Sequence, residues 1–260
     1  MFRRDVSFSG SETQVTWQGN QATDIKEFRH YLAGPVRRRL DDEARRSSFE
    51  TDLRALATTD MASDTLNKLL SSEPDREPWE VGEALAECLL EEEPGVTWPW
   101  NMERDKRTPK ASLPGADLVG FVAAKEGVLL ALGEVKTSSD ASNPPNVMSG
   151  RSGMVHQLDN LASNIRIHAC LIGWLHVRCK NTDLWPTFQE AVKQYLASKG
   201  RAIILFGVLM RDTEPNENDL SGRAKALCRK LGSPTRAELH AWYCPESIST
   251  WPSLAKGGTS

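Results

Sequence analysis

The sequence predicts an α/β protein, a mixed sheet flanked by helices behind an N-terminal helical segment. Three observations carry that prediction. Residues 79–92 repeat their apolar side chains at helical spacing, with Val81, Ala84, Leu85, Cys88 and Leu89 on one face. Two short apolar runs, 116–124 and 128–137, flank the turn Lys125-Glu126-Gly127 as a hairpin would. The run IILFGVLM, within 201–210, is apolar on both sides, as in a strand covered on both faces.

Residues 1–75 are polar and read mostly as helix. A first helix over 24–32 is expected to stop at Ala33-Gly34-Pro35, with further helices over 36–46 and 48–70 and a break near Thr58. The basic run Arg37, Arg38, Arg39 is followed at once by Asp41, Asp42 and Glu43, which suits a solvated helix face. Residues 71–75, Ser-Ser-Glu-Pro-Asp, mark a boundary. The expected division is 1–75 as a helical segment, 76–250 as the core and 251–260 as a tail.

Within the core, Glu80, Glu83 and Glu87 form a stripe beside the apolar face of helix 79–92, and Pro94-Gly95 ends it. A short strand is expected at 96–100, a charged turn at 103–110, then the hairpin. The Ser-, Asn-, Pro- and Gly-rich loop 138–153 is expected to be mobile. Helices over 154–177 and 184–198, the strand 201–210, a helix over 219–231 and a last strand over 236–243 complete the order.

Composition narrows the function classes. The chain has 260 residues, 39% of them hydrophobic and 26% charged, with a net charge of -3, which excludes collagen, general disorder and a coiled-coil rod. The longest near-continuous apolar run, 202–210, is too short to span a bilayer, so no membrane role is expected. No apolar stretch follows the opening MFRRDVSFSG, so no secretory signal is expected. Five cysteines, odd in number and never in a CxxC, read as reduced thiols of a cytoplasmic protein. The slightly acidic balance excludes bulk electrostatic attraction to nucleic acid, leaving a local patch or a partner's help.

The common phosphate-loop, dinucleotide, serine-hydrolase and zinc-protease motifs are missing, and Lys256-Gly257-Gly258-Thr259-Ser260 has the wrong order for a phosphate loop. His168, Cys170, His176 and Cys179 cluster, but the apolar residues between them describe a buried helix rather than a zinc site. Trp98 and Trp100 read as core.

One constellation carries chemistry: an acidic residue on the helix (Glu83), Asp117 entering a strand, and Glu134-Val135-Lys136 ending the next. Residues two apart on a strand share a side, so Glu134 and Lys136 converge, and hairpin pairing brings Asp117 beside them. Two close carboxylates repel unless a cation lies between them, and Mg²⁺ takes such oxygen ligands together with water. A neighbouring lysine can orient water or neutralise charge on a phosphate. The tripeptide alone is uninformative: with 35 acidic residues and 12 lysines, about 1.6 matches to [Asp/Glu]-x-Lys arise by chance. The second match, Asp24-Ile25-Lys26, lies in a polar helical stretch and reads as surface.

The runs LPGADLVGF and GVLLALGEVKTSS resemble the PD-(D/E)XK nuclease superfamily, whose restriction-endonuclease-like core is helix, three-stranded meander, helix, strand. The resemblance covers about 60 residues. It implies Asp117 and Glu134 as ligands of Mg²⁺, with Mn²⁺ as a substitute, and Lys136 on the water or phosphate side. It also implies an acidic ligand from the first helix, best matched by Glu83 with Glu87 and Glu80 as alternatives, and Gln157 on the following helix. Ala116 stands where the superfamily's name has Pro. Within the superfamily, GEALAECLL, GADLVGF and LALGEVKTS are similar to the nuclease subunits of Hachiman-type bacterial anti-phage systems, which implies DNA as substrate and a helicase or ATPase partner. The alternatives are a nuclease-like fold used as a non-catalytic interaction subunit, and an RNA-cleaving effector.

Overall fold

The computed structural model of the chain describes residues 1–71, 75–101, 105 and 115–257. Its centre is a six-stranded mixed sheet in the order β1-β2-β6-β5-β4-β3. The strands are β1 (Arg4–Glu12), β2 (Val15–Ala22), β3 (Leu118–Ala124), β4 (Gly127–Ser138), β5 (Ile203–Arg211) and β6 (Arg236–Tyr243). The two edge hairpins, β1–β2 and β3–β4, are antiparallel, and β2, β6, β5 and β4 run parallel to one another. Every residue of β5 is buried, which explains its unbroken apolar reading: helices cover both of its faces.

The helices are α1 (Ile25–Tyr31), α2 (Arg37–Leu40), α3 (Glu43–Leu56), α4 (Asp60–Leu70), α5 (Pro78–Glu92), α6 (Met154–Ser163), α7 (Ile165–Cys179), α8 (Trp185–Ala197), α9 (Ser221–Lys230) and α10 (Trp251–Ala255). Strand alternation sorts the core into two layers. Leu129, Ala131 and Val135 of β4 join Val81, Leu85 and Leu89 of α5, together with side chains of α1, α2 and α10. Leu130 and Leu132 join Met154, Leu158 and Leu161 of α6, backed by α7, α8 and α9.

The N-terminal segment departs from expectation. Residues 4–22 form a hairpin, turned at Thr13 with φ 50°, and β2 pairs with β6 to extend the sheet. The chain does not stop at Gly34-Pro35 either: a π-helical turn, Leu32–Val36, takes Pro35 within it and leads into α2. Phe28, Tyr31, Leu32, Val36 and Leu40 are all in the core beside α5. The division at residue 75 therefore fails for about the first 40 residues, which belong to the sheet domain. Residues 251–257 are no tail, because Trp251 is fully buried, edge-on to Phe28.

Smaller differences have local causes. Residues 96–100 make only an isolated bridge, Thr97 to Phe121. Trp98 donates to the Glu87 carbonyl at 3.0 Å and Trp100 packs edge-on to Trp174, so both serve the core as read. The helix expected over 154–177 divides at Asn164, whose side chain accepts from the Arg166 amide at 3.0 Å and so starts α7. In the loop after β4, Asp140 accepts from the Ser142 and Asn146 amides at 2.9 Å each. The charged turn 103–110 lies outside the described residues apart from Asp105.

Candidate active site

The site is assembled at the end of β4 nearest α6. In the β3–β4 register Leu118 lies opposite Gly133, and the Asp117 amide donates to the Gly133 carbonyl at 3.0 Å, so Asp117 stands across from Glu134. Val119 and Phe121 on β3, and Leu130 and Leu132 on β4, point into the layer built on α6 to α9. By the two-residue period of a strand, Asp117, Glu134 and Lys136 rise from that same face. Gly207 of β5 lies beside Glu134 in the parallel register. A side chain there would come within 3.0 Å of Leu158 and 3.2 Å of Met154, so glycine lets α6 settle close to the sheet next to the pair.

The three side chains touch. Lys136 Nζ donates to Glu134 Oε1 at 2.5 Å, and Asp117 Oδ2 accepts from the Val135 amide at 2.9 Å. Asp117 and Glu134 also hydrogen-bond to each other. Glu134 is only 4% exposed. Burial, then the negative charge of Asp117, push Glu134 up to about 8, with Lys136 pulling the other way. Burial likewise pushes Asp117 above the usual carboxylate range, against the Val135 amide and Lys136. Without a cation, the two carboxyls at neutral pH share a proton.

The acidic residues of α5 are placed elsewhere. At Gly82 a side chain would overlap the Thr137 hydroxyl, so α5 leans on the face of β4 that carries Val135 and Thr137. That is the face turned away from Glu134 and Lys136, and the structure does not bring Glu83 to the pair. Among the described residues no group of three or more His, Cys, Asp or Glu could hold a metal ion, which corrects the expected third ligand. Glu80 caps its own helix by accepting from the Glu77 amide at 2.7 Å, and Glu87 is ion-paired with Arg39. Gln157 lies on α6, which covers the right face, and donates to the Arg151 carbonyl at 3.5 Å. Arg151, just before α6, is exposed, and Lys106, Arg107 and Lys110 lie outside the described residues.

A polar cluster lies beside the site on the same face. Arg211, fully buried, donates from Nη2 to the Ser142 carbonyl at 3.3 Å and Asn143 Oδ1 at 3.4 Å, and its Nε lies 3.7 Å from Asp219 Oδ2. Tyr243 donates to the same Asp219 oxygen at 2.9 Å. The cluster ties the loop leaving β4 to the ends of β5 and β6. Its one sequence signal is an arginine closing an otherwise apolar strand.

The donor set suits a hard divalent cation. Two buried carboxyls that repel when both ionise gain most from a cation between them, and Mg²⁺ is commonly held by one or two carboxylates with water completing its shell. Asp117 and Glu134 would hold it. His168, Cys170, His176 and Cys179 give no second metal site: His168 is bonded to Tyr195 and the Leu161 carbonyl, Cys170 is exposed and Cys179 is buried. Among the described residues no helix is long and apolar enough to cross a membrane. No family model matches the chain, and no curated protein matches it.

Proposed function

We infer that this chain is a metal-dependent nuclease of the PD-(D/E)XK kind, hydrolysing DNA phosphodiester bonds. The observation that carries the reading is the facing, buried pair Asp117 and Glu134 with Lys136 Nζ 2.5 Å from Glu134, at the C-terminal end of a parallel strand. Open sheets of this kind place ligands at that end of their strands. Mg²⁺, or Mn²⁺ in its place, would supply Lewis-acid polarisation of a phosphoryl oxygen when bound. Asp117 and Glu134 would hold the cation once both are ionised. Lys136 Nζ stands beside Glu134, where it can neutralise charge developing on the phosphate. The Val135 amide fixes Asp117 by donating to one of its carboxylate oxygens, and the other oxygen would be open to a cation.

The same reading makes the chain the effector of a cytoplasmic anti-phage complex with a helicase or ATPase subunit. A net charge of -3 gives weak intrinsic attraction to a polyanion, so a DNA-engaging partner delivers the substrate. Helices α3 and α4 support a docking role, because Phe49, Leu56, Met61 and Leu69 are between 52% and 81% exposed there.

Cleavage assays on plasmid, linear duplex and RNA, each with Mg²⁺ or Mn²⁺, test the reading. DNA cut by the wild type and left intact by Asp117→Ala is the expected result. RNA cut in preference to DNA makes the chain an RNA-cleaving effector. No cleavage of any substrate, with or without the partner, leaves a non-catalytic interaction subunit.

A further inference from the structure

A cavity of about 590 Å³ opens at the far end of α6 from the carboxylate pair, lined by residues of α6, α7, α9 and the turn before β5. Its lining includes Lys199, Arg201 and Lys230, and among the described lining residues Asp159 is the one carboxylate. Asp159 is already answered twice, by Arg223 at 2.7 Å and by Lys230 at 2.8 Å. Lys199 and Arg201 are exposed and make no ion pair among the described residues. His168 walls the cavity with both ring nitrogens occupied, by Tyr195 at 2.8 Å and the Leu161 carbonyl at 2.7 Å. The start of α7 and the last residues of α6 and α9 all line the cavity, so the helix dipoles there largely offset and the charge comes from the side chains. The cavity is thus concave and polar, with a surplus of cations, which is the chemistry of a phosphate site.

Its position relates it to the active site. Gly207 lies beside Glu134, and Arg201 precedes Gly207 by six residues in the sequence, roughly 20 Å at ~3.3 Å per residue. Both ends are bordered by α6. A duplex must extend at least that far along its axis, at ~3.4 Å per base pair, to reach both places. We propose that this cavity takes a backbone phosphate of the nucleic-acid substrate, roughly 20 Å from the bond placed at Asp117 and Glu134. The proposal rests on the nuclease reading of that pair.

Fluorescence anisotropy tests it with the full chain, a labelled 20-base-pair duplex and EDTA to prevent cleavage, over 50 to 200 mM salt. Lys199→Gln combined with Arg201→Gln changes two exposed side chains, so its melting temperature should match the wild type. The double variant is expected to bind roughly tenfold more weakly at 50 mM salt, with a log–log salt slope shallower by about 0.9 per cation removed. A hairpin with a five-base-pair stem, too short to reach both places, should be bound equally by the two proteins. An unchanged salt slope, or no measurable binding of the 20-mer by the wild type at 50 mM salt, overturns the proposal. So does loss of ATP or inorganic phosphate binding in the double variant with duplex binding intact, because the cavity then serves a small anion. Cleavage with Mg²⁺ is scored separately. Binding through the cavity without cleavage sinks the nuclease reading alone, and cleavage with an unaltered slope sinks the cavity alone.

Discussion

Two buried glutamates, on opposite faces of the sheet, meet opposite surroundings. Glu87 on α5 is pushed up by burial, but Arg39 from α2 pairs with it, so its charge is matched by a cation from another element. Glu134 on β4 is pushed up by burial and again by Asp117, and its cation is the lysine two residues along its own strand. The first arrangement is a buried ion pair, in which the acid Glu91 raises Glu87 less than Arg39 lowers it. The second sets two carboxyls against each other, which costs the fold stability and which a bound cation would reverse. A perturbed carboxyl points to function when its perturber is another acid rather than a base.

The largest effect that can break this contrast is catalytic. Asp117→Ala or Glu134→Ala should lower DNA cleavage by about a thousandfold or more, with the fold intact by circular dichroism. Glu87→Gln, assayed per folded molecule, should stay within about threefold of the wild type. Equal losses at Glu87 and Glu134 would erase the distinction.

Stability should respond in the opposite sense. Arg39→Met leaves Glu87 buried without its cation, and removing one partner of a buried pair costs ~3–5 kcal/mol. Denaturant midpoints report it, and adding Glu87→Gln to Arg39→Met should restore most of the loss. An Arg39→Met protein as stable as the wild type would show that the pair contributes nothing.

The smallest effect is the pH dependence. In the absence of divalent ions, Glu134 ionises at about 8 in the folded chain against an ordinary 4.5, so the native state holds the extra proton in that window. Stability is full below about 4.5 and falls as pH rises toward 8. Glu134→Gln, which cannot ionise, should lack that slope and be more stable than the wild type at pH 8.5. Parallel melting curves of the two proteins from pH 5 to 8.5 would contradict the shared-proton account.

Much of the core was legible because its signals are local. The apolar period of α5, the turn Lys125-Glu126-Gly127 and the apolar β5 each declare their element within a dozen residues, and β6 falls on the residues read for it. Asp117, Glu134 and Lys136 come together because hairpin pairing and strand alternation are short-range geometry. The N-terminal hairpin was missed because its strands, RDVSFSGSE and VTWQGNQA, are half polar: β1 is a sheet edge with few buried side chains. Trp251 was missed because a five-residue helix has no period to read. Glu83 was misplaced because helical spacing shows which residues share a face, while the side of the sheet that the face meets is set by packing. Arg211 finds Asp219 and Tyr243 only through the parallel pairing of β5 with β6, which no local pattern announces.

The central claim, that Asp117 and Glu134 hold a divalent cation, is tested most directly by calorimetric titration of the full chain with Mn²⁺ at pH 7 in buffers of different ionisation enthalpy. One ion should bind per chain with release of close to one proton, since a carboxyl titrating at about 8 is still mostly protonated at pH 7. Glu134→Gln should abolish both signals. No binding at millimolar Mn²⁺, or binding of equal strength and proton release in Glu134→Gln, would contradict the account.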